Sequence, residues 1–348
     1  MATAPNASLG TLQAGRAIAA LAVVGHHGEQ AVRAFVGPLP SGVAAILAIG
    51  DLGVDFFFVL SGFIIYYTNH ARVERPGWTR YYLDSRLSRI YLPYLPIGIG
   101  IALAYTLLPG LGQGERPWNW FSTLTLLPSQ GPPALSVAWT LQHEIIFYAL
   151  AWLFLRTRHV LVGSLVWAAL IVGWNVVFGM TSFIPLRLIN LEFLFGVGAA
   201  WLFVRHRLPG SLLLLAAGAA LIAGFLIAGA PRPWSFVFGL GLACLICIAV
   251  KAEVAGRLRT PALLLLLGNA SYAIYLVHLP FQNVAIRGLA RVRLDPSLAI
   301  VLLFVLSTLA GLAYHLAYEK PALRIFRNRF SGSRRKDSGP RGPAPPQA

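Results

Sequence analysis

Ten apolar runs, each long enough to cross or nearly cross a lipid bilayer, follow one another along this 348-residue chain. A helix needs about 20 apolar residues to span the hydrocarbon core of a membrane. Hydrophobic residues make up 57% of the chain and charged residues only 11%, so no separate soluble domain is expected. We therefore predict an all-α, polytopic membrane protein with spans at about residues 15–35, 43–68, 92–109, 137–155, 160–179, 187–204, 211–230, 234–250, 266–286 and 298–318.

Basic residues are distributed unevenly between the connections on the two sides of these spans. One set of loops, together with the C-terminal tail, holds most of the arginines and lysines, and the positive-inside rule assigns this set to the cytoplasm. Ten spans then place both termini in the cytoplasm. Residues 9–330 form the predicted transmembrane domain, and residues 331–348 are expected to be a disordered basic tail. The net charge of +16 thus indicates contact with membrane lipids and not with nucleic acid.

Three titratable residues are expected at similar depth inside the membrane. His27 follows Arg16 by eleven positions, or roughly 16 Å of helix, which brings it close to the bilayer midplane. Glu144 and Asp55 lie at comparable depth in the fourth and second spans. We predict a catalytic group of His27, Glu144 and Asp55. In this group the imidazole removes a proton from an attacking hydroxyl, and a carboxylate orients the imidazole or stabilises the imidazolium that forms. A buried His–carboxylate pair can equally be structural, each partner satisfying the other.

A basic pair marks the cytoplasmic start of the third span. Arg86 and Arg89 stand at i and i+3 and therefore share one face of a helix. Guanidinium groups at this spacing can grip the phosphates of a nucleotide-like donor, and Arg16 lies on the same side of the membrane. The competing interpretation is that these arginines only anchor the spans.

Other polar residues in the spans admit both a functional and a structural interpretation. Ser271 and His278 are two helical turns apart and share a face, so they are candidates for a cavity wall. Ser61 belongs to a Ser-Gly pair that either shapes the donor path or permits close packing. Cys244 and Cys247 lie in an apolar run and are interpreted as small core residues, so no metal site is predicted.

Taken in order, several of these segments resemble signatures of the acyltransferase 3 family of membrane O-acyltransferases. The resemblance runs in register from about residue 11 to residue 321. Its motifs are an Arg and a His separated by ten residues (Arg16, His27), Gly53 to Phe63, Arg-x-x-Arg-Ile at Arg86, Trp-Thr-Leu-x-x-Glu at Trp139, Ser-Tyr-x-x-Tyr-x-x-His at Ser271, and Glu319-x-Pro321. The order of these motifs on a ten-span chain makes the resemblance specific.

The resemblance implies transfer of an acyl group, commonly acetyl, from cytoplasmic acyl-coenzyme A to a hydroxyl of an extracytoplasmic or lipid-linked glycan. Acyl-CoA is then a donor substrate, and no bound cofactor is expected. In this picture Arg86 and Arg89, with Arg16, hold the donor, while His27 handles the proton and Glu144 supports the site. The remaining signature residues are expected to line the substrate cavity: Ser61, Trp139, Ser271, Tyr275 and His278.

Residues 12–21 and 189–196 resemble the exopolysaccharide acetylase branch of the family more than its antibiotic-modifying branch. The expected protein is an O-acyltransferase of the bacterial plasma membrane, with a surface glycan or lipid-linked saccharide as acceptor and polysaccharide biosynthesis enzymes as candidate partners. Two alternatives stay open. One is O-acylation of a small lipophilic metabolite such as a macrolide. The other is a secondary transporter or glycan exporter, because buried His, Asp and Glu residues also build proton relays.

Overall fold

A computed structural model describes residues 9–108 and 117–337, and within these two ranges every regular element is helical. Backbone groups inside a bilayer have no water to bond to, and a helix satisfies them within one segment. The helices are α1 (Gly10–Phe35), α2 (Ser41–Ala48), α3 (Gly53–Asn69), α4 (Trp78–Leu107), α5 (Trp120–Thr125), α6 (Trp139–Arg156), α7 (Val160–Phe178), α8 (Leu191–Val204), α9 (Ser211–Ile227), α10 (Phe236–Val254), α11 (Ala262–Arg291), α12 (Pro296–Tyr314) and α13 (Lys320–Asp337).

Seven helical stretches among the described residues are long and apolar enough to cross a membrane. They are Ser41–Asn69, Trp78–Leu107, Ser136–Arg156, Val160–Phe178, Arg232–Val254, Ala262–Arg291 and Pro296–Arg329. Two shorter apolar helices, Leu188–Val204 and Ser211–Ile227, and the more polar α1 correspond to the other runs of the sequence. The all-helical character predicted from the sequence is therefore confirmed, and the seven candidate spans agree with a multi-pass membrane protein.

The helices differ from the apolar runs in three places. The second run is not one continuous α-helix, because a 3₁₀ turn at Ile49–Leu52 separates α2 from α3. The third run begins at residue 92, yet α4 already starts at Trp78, so Arg86 and Arg89 lie well inside it. At the C-terminus α13 continues to Asp337, seven residues into the segment expected to be disordered. Residues 338–348 of that tail lie outside the described ranges.

Two tight helix contacts place the elements that carry the polar residues. The most extensive contacts of α1 are with α11, and those of α3 are with α8. The α3–α8 crossing depends on glycine: a Cβ atom on Gly62 would lie 1.9 Å from the carbonyl oxygen of Phe193, and one on Gly196 would lie 1.9 Å from that of Val59. Small residues let membrane helices approach this closely. Between these two pairs, α4 and α6 complete the walls of a cavity.

Candidate active site

A cavity of about 260 Å³ opens between α1, α3, α4, α6 and α11. Its wall is formed by the first turns of α1, by most of the length of α3, by the arginine-bearing part of α4 and by the first half of α6. One part of its wall is apolar and includes Phe57, Leu60, Ile64 and Ile90. The other part is polar and consists of Gln13, Arg16, Ser61, Arg86, Arg89, Thr140, Glu144, Tyr148, Tyr272 and Tyr275. Six of the eleven residues predicted for the site are therefore brought together here.

Three arginines give this cavity a positive charge that its single wall carboxylate, Glu144, balances only in part. Arg16, Arg86 and Arg89 all line the wall, and within the described parts of the chain none of them forms an ion pair with a carboxylate. Arg16 donates from Nε to the hydroxyl of Ser271 (3.0 Å). Ser271, which was predicted to line the cavity, therefore fixes the position of this guanidinium. Because arginine stays charged in proteins, the cavity favours an anionic occupant.

Two buried polar atoms in the wall have no hydrogen-bond partner among the described residues. They are Nε of Arg86 and Oε1 of Gln13. The Arg86 guanidinium lies over the rings of Tyr82 and Tyr148, 5.9 Å and 5.8 Å from their centroids, which fixes its position without using its donors. Buried polar atoms are normally paired, so these two unpaired atoms are suited to a polar ligand.

Glu144 is the one carboxylate in the wall, and its contacts hold it at the side of the cavity. The hydroxyl of Ser61 donates to its Oε1 (3.1 Å), and the hydroxyl of Tyr148 donates to the same oxygen. Ser61 on α3 is thereby connected to α6. Arg16 is close enough to Glu144 for a favourable electrostatic interaction. Glu144 thus orients the polar wall, and among the described residues no hydrogen bond joins it to His27.

His27 is paired with a second histidine and not with a carboxylate. Its Nδ1 lies 3.2 Å from Nε2 of His278, and the two ring centroids are 5.1 Å apart. His278 also contacts Tyr275, with ring centroids 5.7 Å apart, and Tyr275 is part of the cavity wall. The two histidines therefore lie directly behind that wall. The predicted His27–carboxylate pair is wrong, because α11 fills the position next to His27 with His278.

Asp55 belongs to a different cluster. Its Oδ2 pairs with Nη1 of Arg232 at 2.6 Å, and Arg232 also reaches Asp51, with Nε 3.3 Å from Oδ2. A charge as deeply buried as Asp55 needs such a partner. The predicted meeting of Asp55 with His27 and Glu144 therefore does not occur. Asp51, at the other end of the Arg232 bridge, lies close enough to His27 to interact with it electrostatically.

Trp139 lines a second cavity, of about 500 Å³, near the beginnings of α6 and α10. Arg187 lies 5.8 Å from the centroid of the Trp139 ring, and Arg232 forms part of the same wall. Thr140, the next residue on α6, faces the first cavity and shares a hydrogen bond with the hydroxyl of Tyr275. The beginning of α6 therefore separates the two cavities.

Residues outside the predicted set of site residues complete the first cavity. Gln13 precedes Arg16 by one turn, and Tyr148 follows Glu144 by one turn, so helical spacing from a motif residue would have found both. Tyr272 donates its hydroxyl to the carbonyl oxygen of Ile90 and joins α11 to α4. Across the described ranges no group of three or more His, Cys, Asp or Glu side chains is suited to hold a metal ion.

Comparison with known proteins agrees with the earlier resemblance. The model of the acyltransferase domain family Acyl_transf_3 matches residues 9–316. The chain is 34% identical over 303 residues to the exopolysaccharide production protein ExoZ of Rhizobium meliloti (strain 1021), a match that covers 81% of this chain and 92% of ExoZ. No solved structure matches the chain significantly.

Proposed function

Because the chain belongs to this acyltransferase family, we propose that it transfers an acyl group, most simply acetyl, from cytoplasmic acyl-CoA to a hydroxyl of an exopolysaccharide or another cell-surface glycan. The observation that carries the proposal is the cavity with three arginines that form no ion pair among the described residues. Its wall residue Tyr275 adjoins the His27–His278 pair. This arrangement places a site for an anionic donor next to an imidazole that can accept a proton.

The donor end of the reaction fits the arginine-lined cavity. Coenzyme A carries a pyrophosphate, for which Arg86, Arg89 and Arg16 supply charge-assisted donors. Its long arm carries amide groups and ends in the thioester. The unpaired Oε1 of Gln13 can accept from an amide of that arm, and the apolar wall around Phe57 and Leu60 suits a short acyl chain.

The chemical step needs one proton acceptor and no redox partner. His27 takes the proton of the acceptor hydroxyl as its oxygen attacks the thioester carbonyl carbon. A carbon–oxygen bond forms, the carbon–sulfur bond breaks, and the proton finally leaves with the coenzyme A thiolate. We expect Tyr275, which lines the cavity and contacts His278, to position the thioester on this path together with its hydrogen-bond partner Thr140.

An extracytoplasmic glycan is the acceptor that relatives and geometry support best. The name of the R. meliloti relative, exopolysaccharide production protein, favours a surface polysaccharide over a small metabolite. The second cavity presents the ring of Trp139, and sugar rings commonly pack against aromatic faces. It also borders Arg232, whose partner Asp51 lies near His27. We assign the acceptor to this side of the bundle.

The proposed orientation has ten spans with both termini in the cytoplasm of a bacterial cell. The loops and helix ends nearest the donor cavity are those rich in arginine, as expected for the cytoplasmic side. Acyl-CoA, membrane lipids and a glycan or lipid-linked saccharide are then the direct partners. Polysaccharide biosynthesis enzymes are candidates for further association.

The proposal is tested on the surface polysaccharide of a strain that lacks the gene. We expect a polysaccharide of normal sugar composition without its alkali-labile O-acyl groups, measured by proton NMR before and after mild base. Esters are hydrolysed under these conditions and amides persist. The wild-type gene should restore the groups, and a His27→Ala gene should not.

Two other results would contradict the proposal. Polysaccharide that accumulates inside the cell with normal acylation would indicate a glycan exporter. Polysaccharide unchanged in both amount and acylation would indicate another acceptor, such as a small lipophilic metabolite, which purified protein and labelled acetyl-CoA would identify.

A further inference from the structure

The hydrogen-bonding polarity of His278 follows from what its two ring nitrogens contact. Its Nδ1 lies 3.2 Å from the carbonyl oxygen of Ile274. A carbonyl oxygen can only accept, so this nitrogen carries the hydrogen. The ring is fully buried, and none of the ion pairs in the described residues involves it, which favours its neutral form. In a neutral imidazole with hydrogen on Nδ1, Nε2 presents a lone pair and can only accept.

The same reasoning then fixes His27. Its Nδ1 lies 3.2 Å from the Nε2 lone pair of His278 and 3.1 Å from the carbonyl oxygen of Val23. Both neighbours are acceptors, so Nδ1 of His27 carries the hydrogen and donates to them. The lone pair of the neutral ring is left on Nε2. No residue in the described ranges hydrogen-bonds to this nitrogen, and the side chain is only half-buried.

We propose that His278 is a positioning residue that holds His27 in the Nδ1-protonated tautomer, so that Nε2 is the atom that removes the proton from the acceptor hydroxyl. The catalytic half of this inference rests on the proposed function, whereas the tautomer does not. As Nε2 takes the proton, the positive ring keeps its Nδ1–H donated to His278. That hydrogen bond strengthens as the charge develops, which lowers the cost of forming an imidazolium inside the membrane.

The packing around the pair leaves His278 little freedom to turn away. One turn further along α11, Gln282 donates from Nε2 to the carbonyl oxygen of Val24 (3.0 Å) and sets the register of α11 against α1. The neighbouring His26 is 2.9 Å from the side-chain nitrogen of Gln30 and is thus engaged elsewhere. His278 is therefore the side chain that determines which nitrogen of His27 is protonated.

Nitrogen NMR of ¹⁵N-histidine-labelled protein in lipid nanodiscs tests the tautomer without donor or acceptor. Protonated and unprotonated imidazole nitrogens resonate in separate ranges, and the signals lost in His27→Gln identify His27. We expect a protonated Nδ1 and an unprotonated Nε2. A protonated Nε2 in the wild-type protein would overturn the proposal, and this spectrum decides the question even if neither variant of His278 folds.

Two substitutions of His278 separate positioning from packing. His278→Met keeps a side chain of similar length but replaces the imidazole nitrogen with a sulfur that accepts only weakly. The Val23 carbonyl then remains as the one strong acceptor for Nδ1–H, so the share of the Nε2-protonated tautomer of His27 should rise. We expect acyl transfer to slow about tenfold, the scale of one lost hydrogen bond, with unchanged KM for acyl-CoA. In His278→Gln the amide oxygen can accept in place of Nε2, so both the tautomer and the rate should be largely restored.

His143→Met is the matched control, because it removes another buried histidine of the bundle, one that bonds Asn190 and does not contact His27. Equal tautomer ratios and rates in wild type and His278→Met would overturn the proposal, as would a failure of His278→Gln to exceed His278→Met. A wild-type protein with the expected tautomer but without acyl transfer would support the tautomer assignment and contradict the proposed function.

Discussion

Replacing both Arg86 and Arg89 with glutamine should weaken coenzyme A binding strongly while the protein still folds. Glutamine keeps a polar side chain of moderate length but removes the charge and the guanidinium fork. Nε of Arg86 is buried without an internal partner, so its loss breaks no hydrogen bond inside the protein. What the fold loses is the placement of the Arg86 guanidinium over the rings of Tyr82 and Tyr148, a cation–π contact that contributes about 2 kcal/mol when it is shielded from water.

The expected loss of affinity follows from the number of charged contacts removed. A hydrogen bond to a charged group contributes about 1.5–3 kcal/mol. Two such contacts, taken at the lower limit, amount to about 3 kcal/mol, and every 1.4 kcal/mol is tenfold in Kd. The double variant should therefore bind coenzyme A roughly 100-fold more weakly. Because arginine–phosphate contacts are partly screened by salt, the difference from wild type should shrink as ionic strength rises.

Titration calorimetry of purified protein in nanodiscs, at low and at physiological salt, measures this directly. Arg80→Gln is the matched control, because Arg80 lies on the same helix, pairs with Asp84 and does not line the cavity. It should bind coenzyme A like the wild type. If the double variant loses no more affinity than Arg80→Gln, the two arginines are membrane anchors and the assigned donor site is wrong.

Two further predictions concern the fold. Gly196→Val should lower the stability of the purified protein by about 3 kcal/mol in thermal unfolding, because its Cβ would overlap the carbonyl oxygen of Val59. A Cβ atom at Gly198 meets nothing within 4 Å, so Gly198→Val should unfold like the wild type. An equal loss of stability in both variants would contradict the packing argument. Cysteines placed at Met180 and Thr157 lie beyond the two ends of α7 and should differ in their access to an impermeant thiol reagent. The cysteine at Met180 should be labelled in intact cells, and the cysteine at Thr157 only after permeabilisation. Labelling of both from one side would refute the proposed orientation.

The helices could be predicted from the sequence because the signal is local. A run of about 20 apolar residues indicates a membrane span, and nine of the ten runs correspond to the apolar helices of the structure, with α1 as the tenth. The error at α4 has a simple cause. Hydrophobicity marks only the apolar part of a helix, and the first turns of α4 carry Arg80, Asp84 and Arg86.

Part of the site could also be predicted, where residues share one helix face. Arg86 and Arg89, at i and i+3, do line the same cavity. Ser271 contacts Arg16, Tyr275 lines the cavity and His278 contacts His27. These three residues share one face of α11, as their spacing in the sequence predicts.

The choice of partners across helices could not be read from the sequence. His27 and His278 are 251 residues apart, and Asp55 and Arg232 are 177 apart. Depth arguments give a height in the membrane but not a direction around the bundle. They gave Asp55 the same depth as His27 and so made it a candidate neighbour. The packing of α11 on α1 instead puts His278 next to His27, and Asp55 pairs with Arg232 in the α9–α10 connection.

The transfer of labelled acetyl from acetyl-CoA to the polysaccharide acceptor, measured with purified His27→Ala and His26→Ala proteins, tests the proposed chemistry most directly. We expect His27→Ala to bind coenzyme A normally but to lose acetyl transfer by about 100-fold or more, the scale of a missing general base. His26→Ala should retain most of the activity, because adjacent helical side chains point about 100° apart. Transfer by His27→Ala at the wild-type rate, or equal losses in the two variants, would show that His27 does not take the proton.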